Sequence, residues 1–238
     1  MLFGVRVVVV VPAYAEQERI AAVVGGLPRF VDRAFVVDDA SPDATSEAAE
    51  RVGDARVSVV RHQRNLGVGA AIVTGYRHAL REAGSQNDAF VVMAGDGQMD
   101  PDDLPALVAP IARGEAGYAK GNRFAHADAA VMPLGRRVGG EVFSRATSLA
   151  IGQRVRDSQC GYTAIARWAC DRLDFAALWP GYGYPNDWLG SLARSRVPIA
   201  EVVVRPIYAG EASGLRLRHL PRIGWLVGRS ALRRAMRP

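Results

Sequence analysis

The stretch Phe90-Val91-Val92-Met93-Ala94-Gly95-Asp96-Gly97-Gln98-Met99-Asp100-Pro101 runs a short apolar strand into a glycine-flanked aspartate. Such a run places a carboxylate at an exposed strand end, as in many metal-assisted diphosphate sites. A second strand ends alike: Ala34-Phe35-Val36-Val37 leads into Asp38-Asp39 and then into the turn-rich Ala40-Ser41-Pro42-Asp43. Two strands therefore aim acids at one edge of a sheet. In open α/β sheets that edge, beyond the carboxyl ends of the strands, is where ligands bind.

Working outward, residues 5–11 form a nearly pure β-branched run, the pattern of a strand buried on both faces of a parallel sheet. Residues 16–27 read as a helix with Ile20, Ala21, Val23, Val24 and Leu27 on one side. Strands follow at 34–37, 57–61 and 90–93. Helices are expected over 44–52, opened by Ser41-Pro42-Asp43, and from Asn65 through 83. After Pro101 a helix is expected near 102–113, strands at 117–120, 160–166 and 199–205, and helices at 136–151 and 186–196. This alternation predicts an α/β fold with a mostly parallel sheet and helices on both faces, joined by right-handed crossovers.

The chain has 238 residues, 49% of them apolar, enough for one large domain. Cys160 and Cys170 lie ten apart with no CxxC pairing, which argues against a zinc site or a disulfide framework. No run of eighteen apolar residues occurs, and Met1-Leu2-Phe3-Gly4 is too short and lightly charged for a signal peptide. A cytoplasmic setting is therefore expected. The net charge is +6, yet residues 214–238 carry seven arginines and no acids, leaving 23 bases against 24 acids elsewhere. Arginine outnumbers lysine 29 to 1, which reads first as codon bias. Charge confined to one terminus, with no aromatic interleaving beyond Trp225, argues against nucleic-acid binding. Asn65-Leu66-Gly67-Val68-Gly69 is not a dinucleotide fingerprint, since it does not follow the first strand and lacks the third glycine.

Spacing alone leaves Gly95-Asp96-Gly97 as either a metal site or an ordinary tight turn. The ensemble resembles glycosyltransferase family 2. Pro12-Ala13-Tyr14-Ala15-Glu16 matches that family's Pro-x-Tyr-x-Glu, and residues 37–45 match its Val-Asp-Asp-x-Ser-x-Asp-x-Thr. Residues 94–101 match its Asp-x-Asp-Gly-Gln-x-Asp-Pro pattern, in the same order. Arg64 to Ala71, Gly121-Asn122-Arg123-Phe124 and Arg156 to Tyr162 are similar to the polyprenyl-phosphate sugar transferase branch, the dolichol-phosphate mannosyltransferase relatives.

The resemblance implies a GT-A fold with a Rossmann-like nucleotide-binding half, a nucleotide-diphosphate sugar donor, Mg2+ or Mn2+, and inversion at the anomeric carbon. The implied domain is 1–213, with 1–120 on the donor side and 121–213 on the acceptor side. Pro12, Tyr14, Glu16, Asp38, Asp39, Gly95 and Asp96 would hold the nucleotide sugar, and Asp96 with Gln98 the metal, Gln98 following on extended backbone. One position departs: Ala94 stands where the family places the first acid, so metal affinity should be weaker, or Asp100 must compensate. That departure also leaves open a catalytically silent relative that binds nucleotide sugar.

The acceptor decides whether a base is needed. A polyprenyl phosphate is already anionic near neutral pH and needs cationic clamps, for which Arg123 and the Arg136-Arg137 pair are the candidates. A soluble hydroxyl acceptor would need a general base, and Asp157 and Asp187 are the candidates. Over 214–238, Arg218, Arg222, Arg229, Arg233 and Arg237 project onto one helical face, with Pro221 in the first turn and Val227, Ala231, Leu232 and Ala235 facing away. That tail is expected either to lie on an anionic membrane surface, each basic residue adding about 1 kcal/mol, or to pack on the domain. The expected location is the inner face of the cell membrane, held peripherally.

Overall fold

The central strand β1 (Val7–Ala13) reads Val-Val-Val-Val-Val-Pro-Ala, and all of it is buried. β-Branched side chains are stiff and pack well on a pleated surface, so such a run settles between two neighbours. Its neighbours are β2 (Arg33–Asp38) and β4 (Ala89–Val92), both parallel, with Val10 opposite Phe35 on one side and Val92 on the other. The structure is a computed structural model, and it describes residues 1–82, 84–207 and 220–235.

β3 (Val57–Arg61) extends the sheet beyond β2. On the far side β6 (Thr163–Ala166) runs antiparallel to both β4 and β5 (Tyr118–Asn122), and β7 (Ile199–Val203) closes the sheet parallel to β5. The order is β3-β2-β1-β4-β6-β5-β7. One sheet thus runs through the residues expected on the donor and acceptor sides. Since β6 is reversed, its amino end lies where the other strands end, and residues 157–162 arrive at that edge together with Arg123, which follows β5.

Helices α1 (Ile20–Gly25), α2 (Thr45–Glu50), α3 (Val68–Arg81) and α4 (Leu104–Ala112) belong to the first half. The helix expected from residue 16 begins at Ile20, because Glu16 to Arg19 form a turn instead. Helix α3 approaches β1 so closely that a Cβ on Gly75 would sit 2.2 Å from Val10 Cγ1. The second half contributes α5 (Leu134–Ile151), the short α6 (Arg167–Cys170), α7 (Tyr184–Arg194) and α8 (Leu220–Ala235).

The basic tail is docked on the domain through α8, which packs against α7 and α5. Ile223 and Leu226 are buried, each removal of such a side chain from water contributing about 1.5–3 kcal/mol. Ser230 Oγ donates to the Asn186 carbonyl at 2.9 Å. Arg229 and Arg233, expected on an outward basic face, turn instead toward buried Asp187, at 3.6 and 3.0 Å. Arg218 and Arg237 lie outside the described residues. No helix among the described residues is long and apolar enough to cross a membrane.

Candidate active site

At the carboxyl ends of β1, β2 and β4 lies a cavity of about 330 Å3, and Pro12, Tyr14, Glu16, Asp39, Gly95 and Asp96 line it. The strand ends are stitched together: Asp39 N donates to the Ala13 carbonyl at 2.9 Å and Gly95 N to the Pro12 carbonyl at 3.0 Å. The chain reverses directly after Tyr14 and after Asp39, through Ala15 at φ +58° and Ala40 at φ +60°. Left-handed alanines are strained and persist only where the surroundings fix them. Here Ala15 N donates to Ser41 Oγ at 3.0 Å and Glu16 N to Thr45 Oγ1 at 2.9 Å. The hydroxyls of the second motif thus hold the backbone of the first.

Asp38 and Asp39 part company. Asp38, the last residue of β2, is buried away from the cavity, accepting from Ser41 N, Ser46 Oγ and Arg61 Nη1. Burial raises its pKa, but the serine hydrogen bonds and the Arg61 guanidinium outweigh it and hold the carboxyl below the usual carboxylate range. Asp39 lines the cavity, yet its oxygens are engaged by the loop that walls it: Oδ1 accepts from Leu66 N at 2.8 Å and Oδ2 from Gly67 N at 2.7 Å, with His62 Nδ1 2.7 Å from Oδ1. A carboxylate so occupied shapes the pocket.

Asp96 lies at a junction. It lines the large cavity and also a small cleft of about 60 Å3, shared with Gln98, Arg123 and Gly161. The segment is a turn rather than the extended backbone expected, with Gly97 at φ +74° and Asp96 Oδ1 accepting from Gln98 N at 3.0 Å. Ala94 also lines the large cavity, so the position of the missing acid faces the site. Asp100 does not line either space; it caps the turn after it, accepting from Asp102 N at 3.0 Å, and lies 3.7 Å from Arg205. Among the described residues no group of three or more His, Cys, Asp or Glu side chains is placed to hold a metal. The donor set, Asp96 and Gln98, fits a hard cation that takes most of its oxygens from a bound diphosphate.

Arg123 forms a fork with Asp157, Nε to Oδ2 at 2.8 Å and Nη2 to Oδ1 at 3.0 Å, and Arg123 N and Cys160 N donate to the same carboxylate. Asp157 is 0% exposed. Burial raises its pKa, but the Arg123 charge and hydrogen bonds, with Lys120 nearby, lower it further, so the group stays ionised well into acid. Beneath it sits the chain's one lysine, Lys120, fully buried, its Nζ donating to the Cys160 carbonyl and so tying β5 to residues 157–162. Arg136 lies in the first turn of α5, and Tyr182, though 38% exposed, has its phenol pKa raised by partial burial against the opposing Arg136 and Arg123 charges. Tyr182 lines the large cavity, and Arg123 lines the small cleft that shares Asp96 with it.

Asp187 is likewise 0% exposed, in the first turn of α7. Its Oδ2 accepts from Trp179 N at 2.8 Å, and Oδ1 meets Arg233. It is buried from solvent and anchors the 179 loop and α8.

Sequence reading did not assign Asn65, Gly67, Val68, Ala71 and Tyr182, the opposite wall of the cavity. A signal existed for Gly67 and Gly69: a Cβ at either would lie 2.6 Å from a carbonyl of Trp179 or Pro180, so the two glycines let α3 meet that loop. Tyr182 stands in Gly181-Tyr182-Gly183, flanked by glycines as Asp96 is.

Residues 8–166 match the model of the family described as Glycosyl transferase family 2. The chain is 30% identical over 215 residues, 84% of both proteins, to the UDP-N-acetylglucosamine–dolichyl-phosphate N-acetylglucosaminyltransferase of Methanococcus voltae. It is 27% identical over 224 residues, 90% of this chain and 83% of the relative, to the polyprenol monophosphomannose synthase of Mycolicibacterium smegmatis. Its fold is similar to that of glucosyl-3-phosphoglycerate synthase from Mycobacterium tuberculosis in complex with Mn2+, UDP and glucosyl-3-phosphoglycerate, with TM-score 0.70, 24% identity, and 99% of this chain and 81% of the other covered. The architecture is the GT-A fold, and the chain belongs to glycosyl transferase family 2.

Proposed function

We propose that the chain moves a hexose, mannose or glucose, from a GDP- or UDP-sugar to a polyprenyl phosphate, with inversion at the anomeric carbon. The observation that carries this is the state of the acids beside the site. A hydroxyl acceptor needs a base within reach, and both candidates are buried and paired, Asp157 with Arg123 and Asp187 with Arg233. A phosphate monoester, with a second pKa of about 6, is already a nucleophile near neutral pH. It needs cations to place it, and we assign that role to Arg123, which shares a small cleft with Asp96, and to Arg136 at the start of α5. The similarity to two proteins whose names specify dolichyl and polyprenol phosphates supports the same acceptor class.

In the reaction an acceptor phosphate oxygen forms a bond to C1 of the sugar while the bond from C1 to the donor diphosphate breaks, its electron pair leaving with the nucleoside diphosphate. Pro12, Tyr14 and Glu16 hold the nucleotide against the Asp39-organised loop, and Gly95 lets the backbone come close to it. Asp96 and Gln98 would hold Mg2+ or Mn2+, which when bound neutralises charge developing on the departing diphosphate. With Ala94 in place of an acid, the protein would supply Asp96 and Gln98 to such a cation and the donor diphosphate the other oxygens. The acceptor places the chain at the cytoplasmic membrane face, and residues 1–213 act as one catalytic unit.

The test incubates the purified chain with Mg2+ or Mn2+, a short polyprenyl phosphate and labelled GDP- and UDP-sugars. Label extracted into the organic phase from one donor is the expected result. Donor that binds and is never turned over would mark a silent binding protein and overturn the proposal.

A further inference from the structure

Helix α5 is amphipathic in the wrong sense for a helix that serves only the core. Its inward side is Gly140, Ser144, Thr147 and Ile151. Gly140 abuts the Phe124 ring, Ser144 Oγ donates to the Gly140 carbonyl at 2.7 Å, and Thr147 Oγ1 donates to Asn186 Oδ1 at 2.9 Å. The small and polar residues therefore face in and are satisfied. The outward side carries Leu134, Val138, Val142 and Leu149, which are 75%, 54%, 58% and 80% exposed. At about 100° per residue these four fall within roughly 80° of arc, together with Arg145. An apolar stripe so placed is a recognition surface.

Its surroundings indicate the partner. Arg137 flanks the stripe, Arg145 lies within its arc, and exposed Arg154 and Arg156 follow in the next loop. The one acid on the helix, Glu141, lies 3.8 Å from Arg137. Along its carboxyl half the stripe borders a groove of about 560 Å3 with Phe124, Leu149 and Val155 as its apolar lining and three arginines, Arg145, Arg154 and Arg156, against the single acid Glu141 around it. Phe124 follows the proposed clamp Arg123 directly, and Arg136 belongs to the same helix. An apolar stripe with arginines within and beside it matches an anionic bilayer, where side chains enter the acyl boundary and cations meet headgroups.

We propose that the outward face of α5, and not the basic tail, is the surface by which this chain rests on an anionic membrane. The proposal deepens the lipid-acceptor reading and rests on it for the choice of a bilayer as occupant. Docked in this way, the chain presents the Arg123 side of the site to the surface from which a polyprenyl phosphate head would rise.

The test is flotation of the full chain with phosphatidylcholine vesicles, with and without phosphatidylglycerol, alongside transfer to a short polyprenyl phosphate in detergent. Leu134→Ser, Val138→Ser and Val142→Ser combined should weaken vesicle binding by about 100-fold or more while the thermal midpoint and short-acceptor transfer stay at wild type. Arg145→Gln with Arg154→Gln should lower the preference for anionic vesicles by roughly 30-fold. Binding that survives the triple substitution would overturn the docking face whatever the acceptor is. A wild-type chain that dimerises in solution through α5 and ignores vesicles would overturn it too, in favour of a second copy as partner. Failure of the wild type to label a short polyprenyl phosphate would defeat the acceptor reading alone, since flotation is read independently.

Discussion

Asp157→Asn separates a carboxylate that holds a phosphate clamp from one that takes a proton. The wild-type group accepts from Arg123 Nε at 2.8 Å, Arg123 Nη2 at 3.0 Å, Arg123 N at 3.2 Å and Cys160 N at 3.1 Å. Asparagine keeps one acceptor oxygen, turns an NH2 toward donors, and leaves the guanidinium without its counter-charge. Breaking a buried ion pair costs about 3–5 kcal/mol. The Arg123 side chain is 22% exposed and reaches water, so the lower end, about 3 kcal/mol, applies. For a chain of this size that is a loss of about 6–12 °C in Tm. With a polyprenyl phosphate as the proposed acceptor, a displaced Arg123 would also lose a charge-assisted contact to its phosphate worth about 1.5–3 kcal/mol, or about 10–150-fold in kcat/KM. The loss should appear in the KM for polyprenyl phosphate and leave the donor KM unchanged. Calorimetry and steady-state kinetics with each substrate varied in turn provide the readout. A variant with wild-type Tm and acceptor KM, but kcat lower by more than about 1000-fold, would identify Asp157 as a base and refute the reasoning.

Acid titration gives a second view of the same pair: the folded pKa of Asp157 lies below its unfolded value, so its stabilisation is complete above about pH 4 and is lost only as pH falls through the lower folded value. Chemical denaturation between pH 8 and 5 should therefore show no Asp157-dependent loss, which a comparison with Asp157→Asn checks. Arg233→Ala should lower stability by about 3 kcal/mol rather than 5, since Arg229 remains 3.6 Å from Asp187, and should loosen α8, read by hydrogen exchange. Gly67→Ala puts a Cβ 2.6 Å from the Pro180 carbonyl at φ +97°, and should cost about 2–4 kcal/mol and weaken donor binding, seen by calorimetric titration. Ala94→Asp adds a carboxylate facing the cavity, and should lower the half-saturating Mn2+ concentration by roughly tenfold in the transfer assay.

The donor half was legible because its signals are local. β-Branched runs fixed β1, β2, β3 and β4 to within about two residues, and the strand-end acids pointed to the right edge of the sheet. The Asp38-Asp39 pair shows where reading by motif falls short of physics. Successive residues of a strand point to opposite faces, so two adjacent acids cannot both enter one site, and it is Asp38 that turns inward. The acceptor half was less legible because its decisive contacts are remote. Arg123 and Asp157 are 34 residues apart, and Asp187 and Arg233 46, joined by the reversed strand β6 and by the docking of α8. The same distance effect bears on the proposed membrane face: the tail had the more basic sequence, but α7 offers it a buried carboxylate, whereas α5 turns its apolar residues outward.

The most direct test of the central claim is the stoichiometry and linkage of the product. Nucleoside diphosphate release and sugar recovered on polyprenyl phosphate should be equal, release should require the lipid, and the purified product should carry the sugar on phosphate with its anomeric configuration inverted. Release that proceeds unchanged without polyprenyl phosphate, or sugar recovered on a hydroxyl, would contradict the account.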